Sequence, residues 1–184
     1  QARQALVFSD ARMFGRIRFD RGRDFPEWWQ SLPPALLSDG FTAAWLGGQL
    51  HRRPKSPVKA ALLDQAIFPG IGNWMADEIL WRLRWHPLRA VGTLDTGAVA
   101  ELRRETRRVA RGALETIGVD WSDPPVTWLY RHRWASDNAC PRCGSVLTRE
   151  EAAGRTTCWC PACQPGESRP ASRPVRTGHR RERP

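Results

Sequence analysis

Four of the five cysteines stand as Cys140-x2-Cys143 and Cys160-x2-Cys163, with sixteen residues between the pairs. Each pair puts two sulfurs on one side of a tight turn, and two such turns close a tetrahedron of thiolates, the donor set of a structural zinc site. Pro141 and Pro161 stiffen the two turns alike, and Gly144 follows the first. The stretch is too short for a hydrophobic core, so metal binding is expected to supply its folding energy. Residues 145–149 and 155–159 read as short strands around a turn containing Gly154, with Arg155 at its tip or shoulder. An arginine displayed there suits a phosphate as well as it suits solvent. Cys158 is left over. It reads as a free thiol beside a closed site, the alternative being an exchange with Cys160 that would spoil the matched pairs.

A second stretch is as restrictive. Residues 68–80 run Phe-Pro-Gly-Ile-Gly-Asn-Trp-Met-Ala-Asp-Glu-Ile-Leu. Glycines permit a turn closed to other residues, and Asn73 reads as the cap of the helix that follows. A helix start of this kind offers free N–H groups and a positive dipole end, a ready site for a phosphate. Asp77 and Glu78 complement that dipole and, being acidic, read as structural.

The rest of the chain builds outward from these two. Residues 5–8 and 13–19 read as a strand–turn–strand unit, marginal alone and so expected to belong to a larger sheet. Residues 41–51 read as a helix. Ser56-Pro57 reads as a capped helix start with proline at the first helical position, running to about residue 65. The longest helix is expected over residues 98–117. Val99, Leu102, Thr106, Val109, Ala113, Leu114 and Ile117 form its inner stripe. Arg104, Arg107, Arg108 and Arg111 form an outer basic stripe, read as a solvated face partnered by Glu101 and Glu105. From Pro165 the chain turns to Pro, Arg, Ser and Gly, a composition that cannot bury enough surface to order itself.

The formal net charge is +10, and only Lys55 and Lys59 among the 29 basic residues are lysines. That balance favours a polyanionic partner, and arginine suits bidentate phosphate contacts. No stretch approaches the ~20 apolar residues of a membrane helix, so no membrane partner is expected. With no recognisable secretory signal, thiolates that fit zinc argue for a reducing compartment. A cytoplasmic, nucleoid-associated location in a bacterium is the expectation. The four histidines are scattered, and no Ser-His-Asp set or phosphate loop is visible.

Taken together and in order, these pieces resemble the C-terminal part of the formamidopyrimidine-DNA glycosylase and endonuclease VIII family of base-excision repair enzymes. The resemblance rests on four motifs. Residues 8–15, Phe-Ser-Asp-Ala-Arg-Met-Phe-Gly, look like the loop ending the N-terminal β-sandwich. Pro57-Val58-Lys59, Leu62-Leu63-Asp64-Gln65, Pro69 to Asn73 and Ala76-Asp77-Glu78 look like the helix–two-turns–helix motif. His86-Pro87-Leu88 follows as it does there, and residues 140–164 look like the terminal zinc finger.

The resemblance implies an α+β chain: a remnant β-hairpin of a β-sandwich over residues 1–34, an all-α helix–two-turns–helix domain over 35–120, a linker and four-cysteine finger over 121–165, and a disordered basic tail over 166–184. It implies a monomer that binds double-stranded DNA carrying a damaged base or abasic site. Arg12 would fill the hole left by a flipped nucleotide and Phe14 would wedge beside it, offsetting the cost of flipping. Asn73 and Arg155 would grip flanking phosphates, with Lys59 as a further contact. Cys140, Cys143, Cys160 and Cys163 would hold structural Zn2+. The implied activity is that of a bifunctional glycosylase and abasic-site lyase removing oxidised bases.

Departures from the family pattern limit this. The family's nucleophile is an N-terminal proline followed by glutamate, acting through a Schiff base. This chain begins at Gln1, within what resembles the last hairpin of the sandwich, so the catalytic pair is expected upstream and the chain alone is expected to be inactive. Met13 stands where a second basic residue is usual. Residues 118–139 are short for the loop that caps oxidised purines, leaving purine and pyrimidine lesions both open. A helix–hairpin–helix glycosylase fits less well, because no lysine follows Gly72 closely. The rival of another class is a non-enzymatic, zinc-containing nucleic-acid-binding protein.

Overall fold

The fold is seen in a computed structural model that describes residues 7–9, 17–152 and 154–166. The chain divides into two compact units, Gln1–Leu32 and Pro33–Pro184.

In the first unit, a one-turn helix α1 spans Glu27–Gln30. Trp28 Nε1 donates to Asp20 Oδ2 (3.0 Å), and Phe25 stacks on Trp29 with centroids 5.3 Å apart. The expected second strand is not present where it can be checked: residues 17–19 have no ladder partners among the described residues, and Ile17 and Phe19 are exposed. A strand needs neighbours to take its N–H and C=O groups, and the described residues of this unit supply none. Arg12 and Phe14, with most of the expected hairpin, lie outside the described residues.

The described residues of the second unit are helical, with one β-hairpin. Its helices are α2 (Ala43–His51), α3 (Val58–Leu63), α4 (Asn73–Leu83), α5 (Thr96–Glu115), α6 (Ile117–Asp120) and α7 (Leu129–His132). A 3-10 turn covers Val91–Thr93, and strands β1 (Thr148–Ala152) and β2 (Arg155–Trp159) pair antiparallel. The core sits among α2 to α5, where Phe41, Leu46, Leu62, Phe68, Ile79 and Leu102 are fully buried. Thr42 Oγ1 caps α2 by accepting from Trp45 N (3.0 Å), and Asp95 Oδ1 caps α5 by accepting from Ala98 N (2.7 Å).

Helix α3 departs from its expected start. Pro57, not Ser56, stands at the cap position, and no side chain caps the helix. The segment after α4 does so instead: Val58 N donates to Arg89 O (2.8 Å) and Lys59 N to Pro87 O (3.3 Å). The chain beyond His86-Pro87 thus closes one helix start as it ends another helix. That end is tight: Arg84 takes φ 58° and Trp85 N donates to Leu80 O (3.0 Å), a left-handed stop made without glycine.

The inner stripe of α5 holds from Val99 to Ala110. Leu114, expected inside, is exposed, because the helix runs past the core before it ends at Glu115. Strand β1 lies three residues later than expected, so the hairpin reaches farther from the cysteines.

Candidate nucleic-acid interface and metal centre

Turn geometry builds the metal centre. Gly144 N donates to Cys140 O (2.9 Å) and Gln164 N to Cys160 O (2.8 Å), so the two Cys-x-x-Cys turns have matching closures. Gly144 takes φ 74°, which favours glycine. The four sulfurs of Cys140, Cys143, Cys160 and Cys163 lie within 4.8 Å of one another. Three of their separations are 3.5, 3.5 and 4.0 Å. A zinc–sulfur bond of ~2.3 Å gives a tetrahedron with edges of about 3.8 Å. The donor set therefore fits structural zinc, with no position left for a reacting group. Cys158 is outside the cluster and buried, as a leftover thiol should be. Burial and the Asp77 carboxylate push its thiol up to about 11.

Side chains that carry no motif signal lock this module onto α4. Trp81 Nε1 points at Cys140 Sγ (3.4 Å). Arg142 lies 4.0 Å over the Trp81 ring and donates to Trp81 O (2.8 Å). The buried amide of Gln164 accepts from Cys160 N (3.0 Å) and donates to Trp85 O (2.8 Å).

Asn73 is not the cap of α4. Gly72 holds that position, extended at φ −92° and ψ 178°, and Asn73 is the first helical residue. Its Nδ2 donates to the carbonyl of Thr156 on β2 (2.7 Å), while its Oδ1 is buried without a partner. The N-terminus of α4 is thereby fastened beside Arg155, which is exposed next to Gly154 in the hairpin turn. With no side-chain cap, the first N–H groups of α4 remain as donors. Gln65 braces the loop leading there: its Oε1 accepts from Gly70 N (2.9 Å) and its Nε2 donates to Ile71 O (3.1 Å). Gly70 takes φ 83°, the turn that the sequence assigns to glycine.

Lys59 is a correction to the sequence reading. It is fully buried, paired with Asp77, and donates to Asn73 O (3.1 Å), so it cannot reach a phosphate. Asp77 also receives Arg133 Nη2 at 2.7 Å and the N–H of Cys158 at 3.1 Å. This one carboxylate joins α3, α4, the segment after α7 and β2. Burial is the largest influence on both partners: it pushes Lys59 down and Asp77 up, while their mutual attraction opposes each shift. Glu78 plays a similar part. It accepts from Arg82 Nε (2.7 Å) and Tyr130 N (3.3 Å), and burial pushes its carboxyl up against those bonds. Both acids are structural as expected, but as cross-links between elements and not as dipole partners.

The basic stripe divides in two. Arg107 Nη1 donates to Leu36 O (2.9 Å) and Ser38 O (2.8 Å), and its Nη2 to Leu37 O (3.0 Å), so it ties down a loop. Arg104 and Arg108 make long, exposed contacts to Glu101 (3.6 Å) and Glu105 (3.9 Å). None of the helices among the described residues is long and apolar enough to cross a membrane.

The model of the formamidopyrimidine-DNA glycosylase H2TH domain matches residues 32–123, and that of the zinc finger found in FPG and IleRS matches residues 138–166. Similar curated proteins include a formamidopyrimidine-DNA glycosylase of Thermomicrobium roseum, 36% identical over 169 residues, covering 87% of this chain and 58% of that protein. One of Roseiflexus is 39% identical over 169 residues, covering 86% and 61%. The chain thus spans about three fifths of the length of these relatives. Among solved structures, the MutM (FPG) protein of Thermus thermophilus is 32% identical with a TM-score of 0.62, covering 76% of this chain and 56% of that one. An Fpg of Lactococcus lactis, solved bound to DNA containing an abasic site, has a TM-score of 0.61 at 22% identity, covers 76% of this chain and 52% of that one, and shares the fold.

Proposed function

The chain belongs to the family of the formamidopyrimidine-DNA glycosylase H2TH domain, and on that premise we propose that it is the DNA-gripping portion of a bifunctional glycosylase and abasic-site lyase acting on oxidised bases. Residues 35–120 act as the helix–two-turns–helix domain and residues 121–165 as linker and finger. Asn73 and Arg155 hold phosphates either side of a damaged or abasic nucleotide in duplex DNA, and Arg12 and Phe14 take its place in the stack. Cys140, Cys143, Cys160 and Cys163 hold zinc, which supplies folding energy to the hairpin and no step of the reaction. The protein works as a monomer on the nucleoid, in the cytoplasm.

The observation that carries this reading is the hydrogen bond from Asn73 to Thr156 (2.7 Å), which makes the start of α4 and the arginine-bearing hairpin one surface. A helix start with free N–H groups and an arginine are complementary to adjacent phosphates.

Fluorescence anisotropy on duplexes with and without an abasic site tests it. Preference for the abasic duplex is expected, with Asn73→Ala and Arg155→Ala each weakening binding by about tenfold, as for loss of a charge-assisted bond. Equal affinity for both duplexes in the zinc-loaded wild type would favour the non-enzymatic binding protein.

A further inference from the structure

We infer that the outer face of α5 is a second nucleic-acid surface, a phosphate-tracking groove formed by Arg104, Arg108 and Arg111 that is separate from the Asn73–Arg155 grip. A groove of about 610 Å³ runs along this helix, and five arginines line it against the single acid Glu115. Gly112 opens its floor: a β-carbon there would lie 2.7 Å from the Trp128 ring, so the absence of one lets the indole close under the groove.

The five arginines are not equivalent. Arg103 and Arg107 donate to backbone carbonyls of Phe41 and of residues 36–38, and so hold the fold. Arg104, Arg108 and Arg111 do not. Arg104 and Arg108 are about two-thirds exposed, with acid partners no nearer than 3.6 and 3.9 Å. Such exposed pairs are worth little and yield readily to a stronger anion. Arg111 is exposed and has no ion pair among the described residues. At positions i, i+4 and i+7 the three share one face and span about 10 Å of helix, near three base-pair steps of duplex.

Charge pattern alone reads as a solvated face; the groove and the division of labour among its arginines point further. A peptide partner would need apolar pockets for anchoring side chains. This groove offers only Ala100, Gly112 and the edge of a buried Trp128 beneath its charged walls. A polyanionic backbone needs no such pocket. Trp128 also packs on Trp74, with ring centroids 6.4 Å apart, and Trp74 adjoins Asn73. The groove therefore belongs to the same compact unit as the grip and would take backbone beyond the segment held there. The choice of nucleic acid as the polyanion rests on the proposed function.

The test is the salt dependence of binding to undamaged duplexes, one of about 10 base pairs and one about three times longer. The triple variant Arg104→Gln, Arg108→Gln, Arg111→Gln in the full, zinc-loaded chain is expected to lower the slope of log affinity against log salt by about 3 on the long duplex, and to change it little on the short one. The corresponding triple lysine variant is expected to keep the slope, which separates charge from side-chain shape. An unchanged slope on the long duplex overturns the inference. So does an equal loss on both lengths, which would make the stripe part of the primary grip. Loss of binding to a poly-glutamate peptide with duplex affinity intact overturns it in favour of an acidic protein partner. If Asn73→Ala and Arg155→Ala leave abasic preference intact while the glutamine variant loses slope, the primary grip fails and the groove stands.

Discussion

Replacing Asp77 and replacing Lys59 should have very different costs, although they are partners in one buried ion pair. Asp77 faces Lys59 and Arg133 together, so the cluster carries one negative and two positive groups. Asp77→Asn leaves both cations buried without their anion and weakens the bond from Cys158 N. Removing one member of a buried pair costs about 3–5 kcal/mol, and here two cations are stranded. Lys59→Met instead leaves Asp77 with Arg133 at 2.7 Å and the Cys158 N–H at 3.1 Å, both on Oδ2, a neutral pair in which Oδ1 has lost its donor. What it loses is the charge-assisted bond to Asp77 Oδ1 and the bond to the Asn73 carbonyl, about 2–4 kcal/mol together, set against the relief of a desolvated ammonium. A net loss of about 1–2 kcal/mol is therefore expected, well below that for Asp77→Asn. Urea titration of zinc-loaded protein reads both. With a slope near 2 kcal/mol/M, a loss of 4 kcal/mol moves the midpoint by about 2 M. The same Lys59→Met variant should leave the salt slope of duplex binding unchanged, where a phosphate contact would lower it by about 1. Equal destabilisation by the two substitutions, or a lowered slope for Lys59→Met, would refute the argument.

Gly112→Ala should destabilise by about 1–2 kcal/mol, since steric conflict with Trp128 outweighs the better helix propensity of alanine. Gly48→Ala, in α2 with open space around its β-carbon, should stabilise by about 0.5–1 kcal/mol; the midpoints of the two variants in one denaturant series check both. Arg107→Ala is expected to cost about 2–3 kcal/mol by freeing three carbonyls, while Arg104→Ala stays within about 0.5 kcal/mol, again by denaturant midpoint. Stripping the metal with a chelator should unfold the hairpin and shift tryptophan emission through Trp81 and Trp159, with helical circular dichroism largely retained; identical spectra with and without metal would count against the zinc site. Borohydride should trap no covalent complex of abasic DNA on Lys59, as read by peptide mapping, because that amine is buried and paired.

How far the sequence carried depended on whether chemistry was encoded locally. The cysteine pairs were legible because a thiolate turn is defined within four residues, and the crowding of the four sulfurs follows from two such turns meeting. Helix α5 was legible from its apolar period, at least as far as Ala110. Asn73 was placed at the start of α4, but its capping role was misassigned. Whether it caps the helix or begins it depends on Gly72 taking the extended cap conformation, and its amide is claimed by Thr156, 83 residues away. Lys59, Arg107 and Arg133 were illegible for a related reason. A long cationic side chain reads as solvent-facing until a carboxylate or a row of carbonyls from another element stands beside it, and that is decided by packing. Trp81 and Gln164 carry no sign in the sequence of touching the cysteine module, since only the docking of the finger on α4 gives them that position. Residues 17–19 alternate like a strand, yet alternation forms no ladder without a neighbour.

Under the proposed function, the bond between Asn73 and Thr156 would also make metal and nucleic acid thermodynamically reciprocal. If zinc orders the hairpin, and the ordered hairpin holds the start of α4 in a shape that suits phosphates, then each ligand raises the affinity for the other by the same factor. Duplex DNA should accordingly slow the loss of zinc to a competing chelator, although it touches none of the sulfurs. A protein of this build would surrender its metal most easily when idle, and keep it while it is holding a lesion.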